Sequence, residues 1–309
     1  MNINLNQLRA FHEVAKSLSF STAAKNLYVT QPAVTKQVKL FQESFNLKLF
    51  GKFRGKIYLT DEGKKVFTYA SKIFELEQQL VDMIQGMQNL KKGSLRIGVT
   101  KTYAKYLMPV LLSPFQETYP DIIIELDEGS SQSMTESLLD FRNSLAIVAK
   151  IVDNPDVAFI PFMTEEVVFI AASDHHLARK DEVSLDDALQ EPIVMKEIGS
   201  GTRKIVEETA RGMRKKLNIF AQTSNMDFII QLVKRKQACA FVVKSAVEAD
   251  LEKGELASFS MTSPAWFLKI YIAYLRDYEL PFAAKAFLDY LICYSNDGDL
   301  PVGVTGLTE

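Results

Sequence analysis

Ala23-Ala24-Lys25-Asn26-Leu27-Tyr28-Val29-Thr30-Gln31-Pro32-Ala33-Val34-Thr35-Lys36-Gln37-Val38 decides how this chain is read. The stretch predicts two short helices joined by a tight turn, the second shaped to lie in a DNA groove. Thr30 stands where a hydroxyl can cap that second helix by accepting from a backbone N–H of its first turn. Pro32 falls inside the same turn, where a missing N–H costs nothing. Val34, Val38, Phe41 and Phe45 recur at helical spacing as one apolar face. Gln31, Thr35, Lys36 and Lys39 occupy the opposite face. Amides and hydroxyls can read base edges and lysines can neutralise phosphates, so that face has DNA chemistry. Taken alone, the helix reads as an ordinary amphipathic helix with a solvated face, as most such helices are.

Its surroundings favour DNA. Leu5, Leu8, Phe11, Val14 and Leu18 make a preceding helical stripe, and Phe20-Ser21 opens a helix offering Ala23, Ala24 and Leu27 for close packing. Three such helices form a helix-turn-helix with the third as recognition element. Ser21, Thr22, Thr30, Gln31, Pro32, Thr35, Lys36 and Lys39 are its expected DNA contacts. Leu47 to Phe50 and Lys56 to Thr60 then flank a turn holding Gly51, Lys52, Arg54 and Gly55. That spacing predicts a hairpin wing whose Lys52 and Arg54 reach the phosphate backbone or minor groove.

Charge is divided unevenly. Residues 1–65 hold eleven Lys or Arg against four Asp or Glu, a net of +7, while the whole chain is −2, leaving −9 for the remainder. A basic head on an acidic body supplies the salt-dependent part of DNA affinity. The 309 residues exceed one typical domain, and 47% apolar content allows sizeable cores. No apolar run reaches membrane-spanning length, and Met1-Asn2-Ile3-Asn4 lacks the basic and apolar regions of an export signal, so a cytoplasmic location is expected. Cys239 and Cys293 sit in apolar surroundings and are read as buried free thiols.

Thr60-Asp61-Glu62 predicts a helix start with a hydroxyl cap and acidic first turn. Val66, Tyr69, Ile73, Leu76, Leu80, Met83, Met87 and Leu90 follow at alternating spacings of three and four, an unbroken a/d seam closed by Lys91-Lys92-Gly93. The stripe is narrower than that of most helices folded onto their own domain. A helix covering its own core remains the competing reading. The favoured one is self-association through Ile73, Leu76, Leu80, Met83 and Met87, pairing two recognition helices on a two-fold site.

From Ser94 the pattern alternates strands and helices: strands at 95–99, 122–126, 145–148 and 157–160, helices at 104–117 and 133–141. A second unit starts at 167–170 and continues through strands at 193–195, 219–223 and 240–243 and helices at 202–216 and 226–235. Residues 268–272 and 282–294 return to the first sheet. This order predicts a mostly parallel sheet in two lobes with a cleft between them. Thr100, Thr102, Ser131, Ser200, Thr202 and Arg203 lie beyond strand ends or at helix starts, where N–H groups, hydroxyls and a guanidinium suit a small anion. Capping explains many Ser and Thr at such positions. No nucleotide-binding, nucleophile-elbow, zincin or CxxC pattern is present, and no catalytic residue, cofactor or metal is expected. His175-His176 is read as a polar loop without the further ligands a metal needs.

Leu8-Arg9-Ala10-Phe11, Ser21 to Leu27, Thr30 to Thr35, Leu47 to Phe50, Leu59 to Gly63 and Gly199-Ser200-Gly201-Thr202-Arg203 resemble the LysR-type transcriptional regulators over essentially the whole chain. The resemblance implies a winged helix-turn-helix at 1–60, a linker and dimerisation helix at 61–92, and a periplasmic-binding-protein-like effector domain at 94–295 with a tail at 296–309. Its two subdomains would be about 94–165 plus 267–295 and about 166–266. The resemblance also implies promoter DNA, further copies of the chain up to a tetramer, RNA polymerase and a small polar or anionic metabolite as partners, the last at Thr100, Thr102, Ser131 and Thr202. A DNA-binding protein whose body only oligomerises, without ligand, is the alternative. The chain departs from the family's pattern at Gln42 and Asn46 (commonly Glu and Gly), at Lys236-Gln237-Ala238-Cys239, at Lys244 (commonly Pro) and at Ser144 (commonly Asp).

Overall fold

Asn4 accepts from the N–H groups of Asn6 and Gln7 and so starts α1 (Leu5–Ser17). Ser19 caps α2 (Phe20–Asn26) through the Thr22 N–H. A turn with Tyr28 at φ 54° leads into α3 (Gln31–Phe45). Val34 and Val38 pack with Ala10, Val14, Ala23 and Ala24, and Phe41 packs with Leu8, Phe11, Ala15 and Leu49. The alanines let the three helices cross closely. Residues 2–88, 93–180, 183–260, 266–296 and 304–305 are described by this computed structural model. They divide into two compact units, Met1–Val81 and Asp82–Glu309.

After α3 the chain turns at Asn46, which takes φ 52°. The Gln42 side-chain oxygen accepts from the N–H of Leu49 at 2.8 Å and of Phe50 at 3.4 Å. Asn tolerates this left-handed backbone and a neutral amide suffices as acceptor, so both departures from the family pattern are accommodated. Strands β1 (Phe50–Phe53) and β2 (Lys56–Leu59) pair antiparallel, with Arg54 and Gly55 at φ 48° and 81°. The expected turn was too wide: Gly51 and Lys52 are strand residues, and Leu47–Leu49 precede the strand. A two-residue loop with both φ positive matches the twist of the flanking strands.

Thr60 Oγ1 accepts from the Gly63 N–H at 3.0 Å and opens α4 (Asp61–Gln88). This helix has two faces. Val66, Phe67, Ala70 and Phe74 join the core of the N-terminal unit, while Tyr69, Ile73, Leu76 and Leu80 remain exposed. It is therefore partly a cover helix as well as the carrier of an exposed seam, which a one-stripe reading did not separate. The side chains of Met83 and Met87 fall outside the described set, as do residues 89–92 with Leu90 and the expected Lys91-Lys92 stop. Gly93 already belongs to the next strand.

The C-terminal unit opens with β3 (Gly93–Thr100), α5 (Lys101–Tyr106), α6 (Met108–Thr118), β4 (Ile122–Gly129), α7 (Ser131–Leu139), β5 (Leu145–Ala149) and β6 (Val157–Ala172). Then come α8 (Leu185–Gln190), β7 (Ile193–Lys196), α9 (Gly201–Gly212), β8 (Ile219–Thr223), α10 (Met226–Lys234) and β9 (Cys239–Val243). It closes with α11 (Glu248–Glu252), β10 (Leu256–Ser260), β11 (Phe267–Leu275), α12 (Phe282–Asn296) and β12 (Val304–Thr305). The expected single helix at 104–117 is two, broken at Leu107, because Pro109 cannot donate to the carbonyl four residues back and its ring crowds it.

The sheet runs β4-β3-β5-β11-β6-β9-β7-β8. Each lobe keeps a parallel core, β4-β3-β5 in one and β8-β7-β9 in the other. The expectation of a mostly parallel sheet fails around β6, which is antiparallel to β9, β10, β11 and β12. Strands 157–160 and 167–170 are one continuous β6, serving the first lobe up to Glu166 and the second from Val167. The tail contributes Val304–Thr305 beside Glu165 and Thr164. Cys239 is buried and Cys293 is exposed, so the reading of two buried thiols holds only for the first.

Candidate functional site

Ser21, Thr22, Thr30, Gln31, Pro32, Thr35, Lys36, Lys39, Lys52 and Arg54 are all exposed on the N-terminal unit. Ser21, Gln31, Thr35 and Lys52 border one open concavity of about 960 Å³ between the start of α3 and the hairpin. Ser21 donates to the Gln31 side-chain oxygen at 2.9 Å, and Thr35 donates to the Gln31 carbonyl at 2.9 Å. Lys39 lies 3.6 Å from Glu43, a surface pair of little weight. Thr30 makes no cap bond with its side chain. This corrects the expected cap and leaves its hydroxyl uncommitted to α3. Tyr28, missed by sequence reasoning, stands 96% exposed on the turn before α3.

α4 is held against α1 by polar contacts as well as apolar ones. Arg9 bonds Glu77 at 2.5 Å and lies 4.4 Å over the Phe74 ring. His12 stacks on Phe67 and bonds Ser71 at 3.1 Å, and its burial lowers its pKa.

In the C-terminal unit, Thr100, Thr102, Ser131, Ser200 and Thr202 line one cavity of about 30 Å³ between the lobes, room for about two waters. Thr100 and Ser200 are the N-cap residues of α5 and α9, yet neither side chain makes a cap bond. Among the described helices, Asn4, Ser19, Ser130, Ser184 and Asn225 do cap with their side chains. Capping therefore explains Ser130 but not Thr100 or Ser200. The Ser131 oxygen accepts from the Ala149 N–H at 3.2 Å, leaving its own O–H as a donor.

Arg203 does not line the cavity. Its guanidinium bonds Glu207 at 2.6 Å, Gln222 at 2.8 Å and the Lys196 carbonyl at 3.0 Å, which fixes it to its own lobe. The cation on the wall is Lys196, only 8% exposed, with Glu197 and Tyr103 beside it. Sequence reasoning missed all three. The signal was a Lys-Glu pair ending the apolar strand Ile193-Val194-Met195 directly before the glycine turn. Burial, assisted by the Lys101 charge, lowers the Lys196 pKa against the pull of Glu197.

Several bonds hold the lobes together around this cavity. The Gln132 N–H donates to the Gly199 carbonyl at 3.2 Å. Lys101 reaches Ser224 at 2.7 Å, Lys105 reaches Asp227 at 2.6 Å, and Lys204 reaches the Ile151 carbonyl at 2.6 Å. Gly199 has φ 84°, and a Cβ there would lie 2.8 Å from both Gln132 Cβ and Ser130 Oγ, so only glycine permits this approach.

Glu165 lies on β6 close to where that strand changes lobes, 1% exposed. It accepts from Ser245 at 2.8 Å. Burial pushes its carboxyl up to about 7, with the Glu248 charge adding to the rise. Lys244, the residue replacing a common proline, pairs with neighbouring Glu166 at 3.1 Å, and Lys236, at φ 58°, pairs with Asp174.

His175, His176 and Glu191 bring potential metal-ligand atoms within 4.8 Å of one another. The His175 Nδ1 accepts from the Leu177 N–H at 3.3 Å. That assigns the proton of the neutral ring to Nε2, the nitrogen facing Glu191 at 3.6 Å. A metal on Nε2 would require the opposite tautomer, with two N–H groups facing each other. The geometry fits a carboxylate between two imidazoles. Burial pushes the nearby Cys239 thiol up to about 12, so it stays protonated.

Residues 5–64 match the model of the bacterial regulatory helix-turn-helix proteins of the lysR family, and residues 88–294 match the LysR substrate binding domain. The chain is 33% identical to the HTH-type transcriptional activator CmpR of Synechocystis sp., over 95% of this chain and 96% of that protein. It is 29% identical to the RuBisCO operon transcriptional regulator of Allochromatium vinosum, over 94% and 96%. Among solved structures, full-length OxyR of Pseudomonas aeruginosa superposes with a TM-score of 0.71 at 20% identity, covering 94% of this chain and 95% of that one. CbnR bound to its target DNA gives 0.71 at 18%, covering 94% and 99%. Among the described residues no helix is long and apolar enough to cross a membrane. The chain belongs to the LysR family: it is a DNA-binding transcriptional regulator, not an enzyme, built from a helix-turn-helix domain and an effector-binding domain.

Proposed function

We propose that the chain is a cytoplasmic regulator that reads a two-fold promoter site with α3 and the wing and changes its oligomer geometry when a small polar or anionic metabolite enters the cavity between the lobes. Gln31 and Thr35 carry the base contacts, with Ser21, Thr22, Thr30 and Pro32 around them. Lys36, Lys39, Lys52 and Arg54 hold phosphates. Ile73, Leu76, Leu80, Met83 and Met87 form the seam between protomers, and the promoter-bound assembly presents itself to RNA polymerase. Thr100, Thr102, Ser131, Ser200, Thr202 and Lys196 receive the metabolite.

The observation that carries the ligand reading is the pair of uncapped helix starts, Thr100 and Ser200, facing one cavity from two lobes. Hydroxyls that leave their own helix starts uncapped and line a cavity with a buried ammonium serve something other than local structure.

Footprinting of the DNA upstream of its own gene tests the reading, run with and without those small carboxylates, phosphates and sulfate that raise the protein's melting temperature. The expected result is a protected two-fold sequence whose length changes with the stabilising anion. A footprint that no stabiliser alters would leave a body that only oligomerises.

A further inference from the structure

The cavity wall holds opposite charges that do not properly meet. Lys196 Nζ lies 3.5 Å from Thr102 Oγ1 and 3.9 Å from Glu197 Oε2. An ammonium has three N–H donors to satisfy, and neither distance is that of a good hydrogen bond. Glu197 Oε2 and Tyr103 Oη are buried with no hydrogen-bond partner among the described residues. A buried polar group left unpaired costs free energy, so two such groups beside an ammonium with only long contacts mark an absent complement.

We propose that the cavity takes a small acid carrying a hydroxyl or amino donor next to its carboxylate, the carboxylate held by Lys196 and Tyr103 and the donor held by Glu197. The proposal rests on the reading of this cavity as the ligand site. Each simpler ligand leaves a group unserved. A plain monocarboxylate satisfies Lys196 and orphans Glu197. A plain amine does the reverse. Phosphate or sulfate satisfies Lys196 but sets a second anion against Glu197, a like-charge contact among buried groups. The Thr100 and Ser200 hydroxyls, free of capping duty, complete the polar lining on either side. A cavity of about 30 Å³ favours the smallest acids of this kind.

Isothermal titration of the full-length protein with acetate, glycolate, glycine and phosphate tests this, because the three acids differ only in what sits beside the carboxylate. Glycolate or glycine is expected to bind about tenfold to a hundredfold more tightly than acetate, the yield of one hydrogen bond to a charged group. Glu197→Leu should erase that preference, and Lys196→Met should weaken every acid. Should either variant not fold, the ranking measured on the parent decides. Equal affinity for the three acids, or preference for phosphate, overturns the proposal. The cavity reading survives that failure if Thr202→Val still weakens whichever anion binds. It falls too if all four probes bind independently of Thr202 or not at all.

Discussion

The start of α3 and the starts of α5 and α9 share one peculiarity and differ in where it is placed. Thr30, Thr100 and Ser200 are N-cap residues whose hydroxyls do not cap. Thr30 is exposed, so water serves both its hydroxyl and the helix N–H groups while no partner is bound. Thr100 and Ser200 border a narrow cavity whose walls include unpaired buried groups. An unmade hydrogen bond in such a place costs about 1–3 kcal/mol. A surface for a long polyanion can thus wait in solvent at little expense, whereas a small-molecule site carries its cost within the fold until something fills it.

Leu76→Glu together with Leu80→Glu is the strongest attempt to break this contrast. Both leucines are exposed on the N-terminal unit, so the protomer should still fold. Sedimentation should show loss of the dimer, and operator affinity should fall about a hundredfold or more as the half-sites lose their coupling. An unchanged oligomer would show that this face of α4 is not the seam.

Glu165→Gln sharpens the buried side. The folded carboxyl titrates at about 7 against an ordinary 4.5, so the folded state binds its proton more tightly than the unfolded chain. The associated stability is complete below pH 4.5 and disappears as pH rises to 7, on the order of 3 kcal/mol. Gln keeps an acceptor for Ser245 and carries no charge. Melting curves should therefore show the variant gaining on the parent between pH 4.5 and 7.5. Parallel curves across that range would contradict the burial cost.

On the exposed side the effects are smaller. Gln31→Ala should narrow the affinity ratio of operator to random DNA by about tenfold to a hundredfold, with no change in melting temperature. If the ratio stays intact, Gln31 is not a base reader. Arg54→Ala should weaken both DNAs alike and lower the slope of log affinity against log salt by about one, as one phosphate contact requires.

How much of this the sequence disclosed follows from the same contrast. The helix-turn-helix was legible because its polar residues are exposed and its apolar ones periodic, and the meeting of Thr100, Thr102, Ser131, Ser200 and Thr202 at one cavity was legible from their places beyond strands or at helix starts. Lys196 and Glu197 were not, since a Lys-Glu pair at a strand end reads as a solvated couple until packing buries it. Arg203 was misassigned for the converse reason. A guanidinium beside a helix start looks available, but Glu207, one turn on, and Gln222, on the neighbouring strand, occupy it. The unity of β6 was hidden too, because its lobe change falls at Glu165-Glu166, which reads as a break between strands.

That unity sets an order of events during synthesis. β6 takes partners from β9, β10 and β11, which lie as far along the chain as Leu275. Neither lobe is complete when its own early strands emerge: the first lacks β11 beside β5, and the second lacks β9 and β10. The N-terminal unit has α1, α2, α3, both hairpin strands and most of α4 within Met1–Val81. Its contacts are local, its folding fast, and its completion early. On the ribosome, the unit that binds DNA is finished long before the unit that would control it.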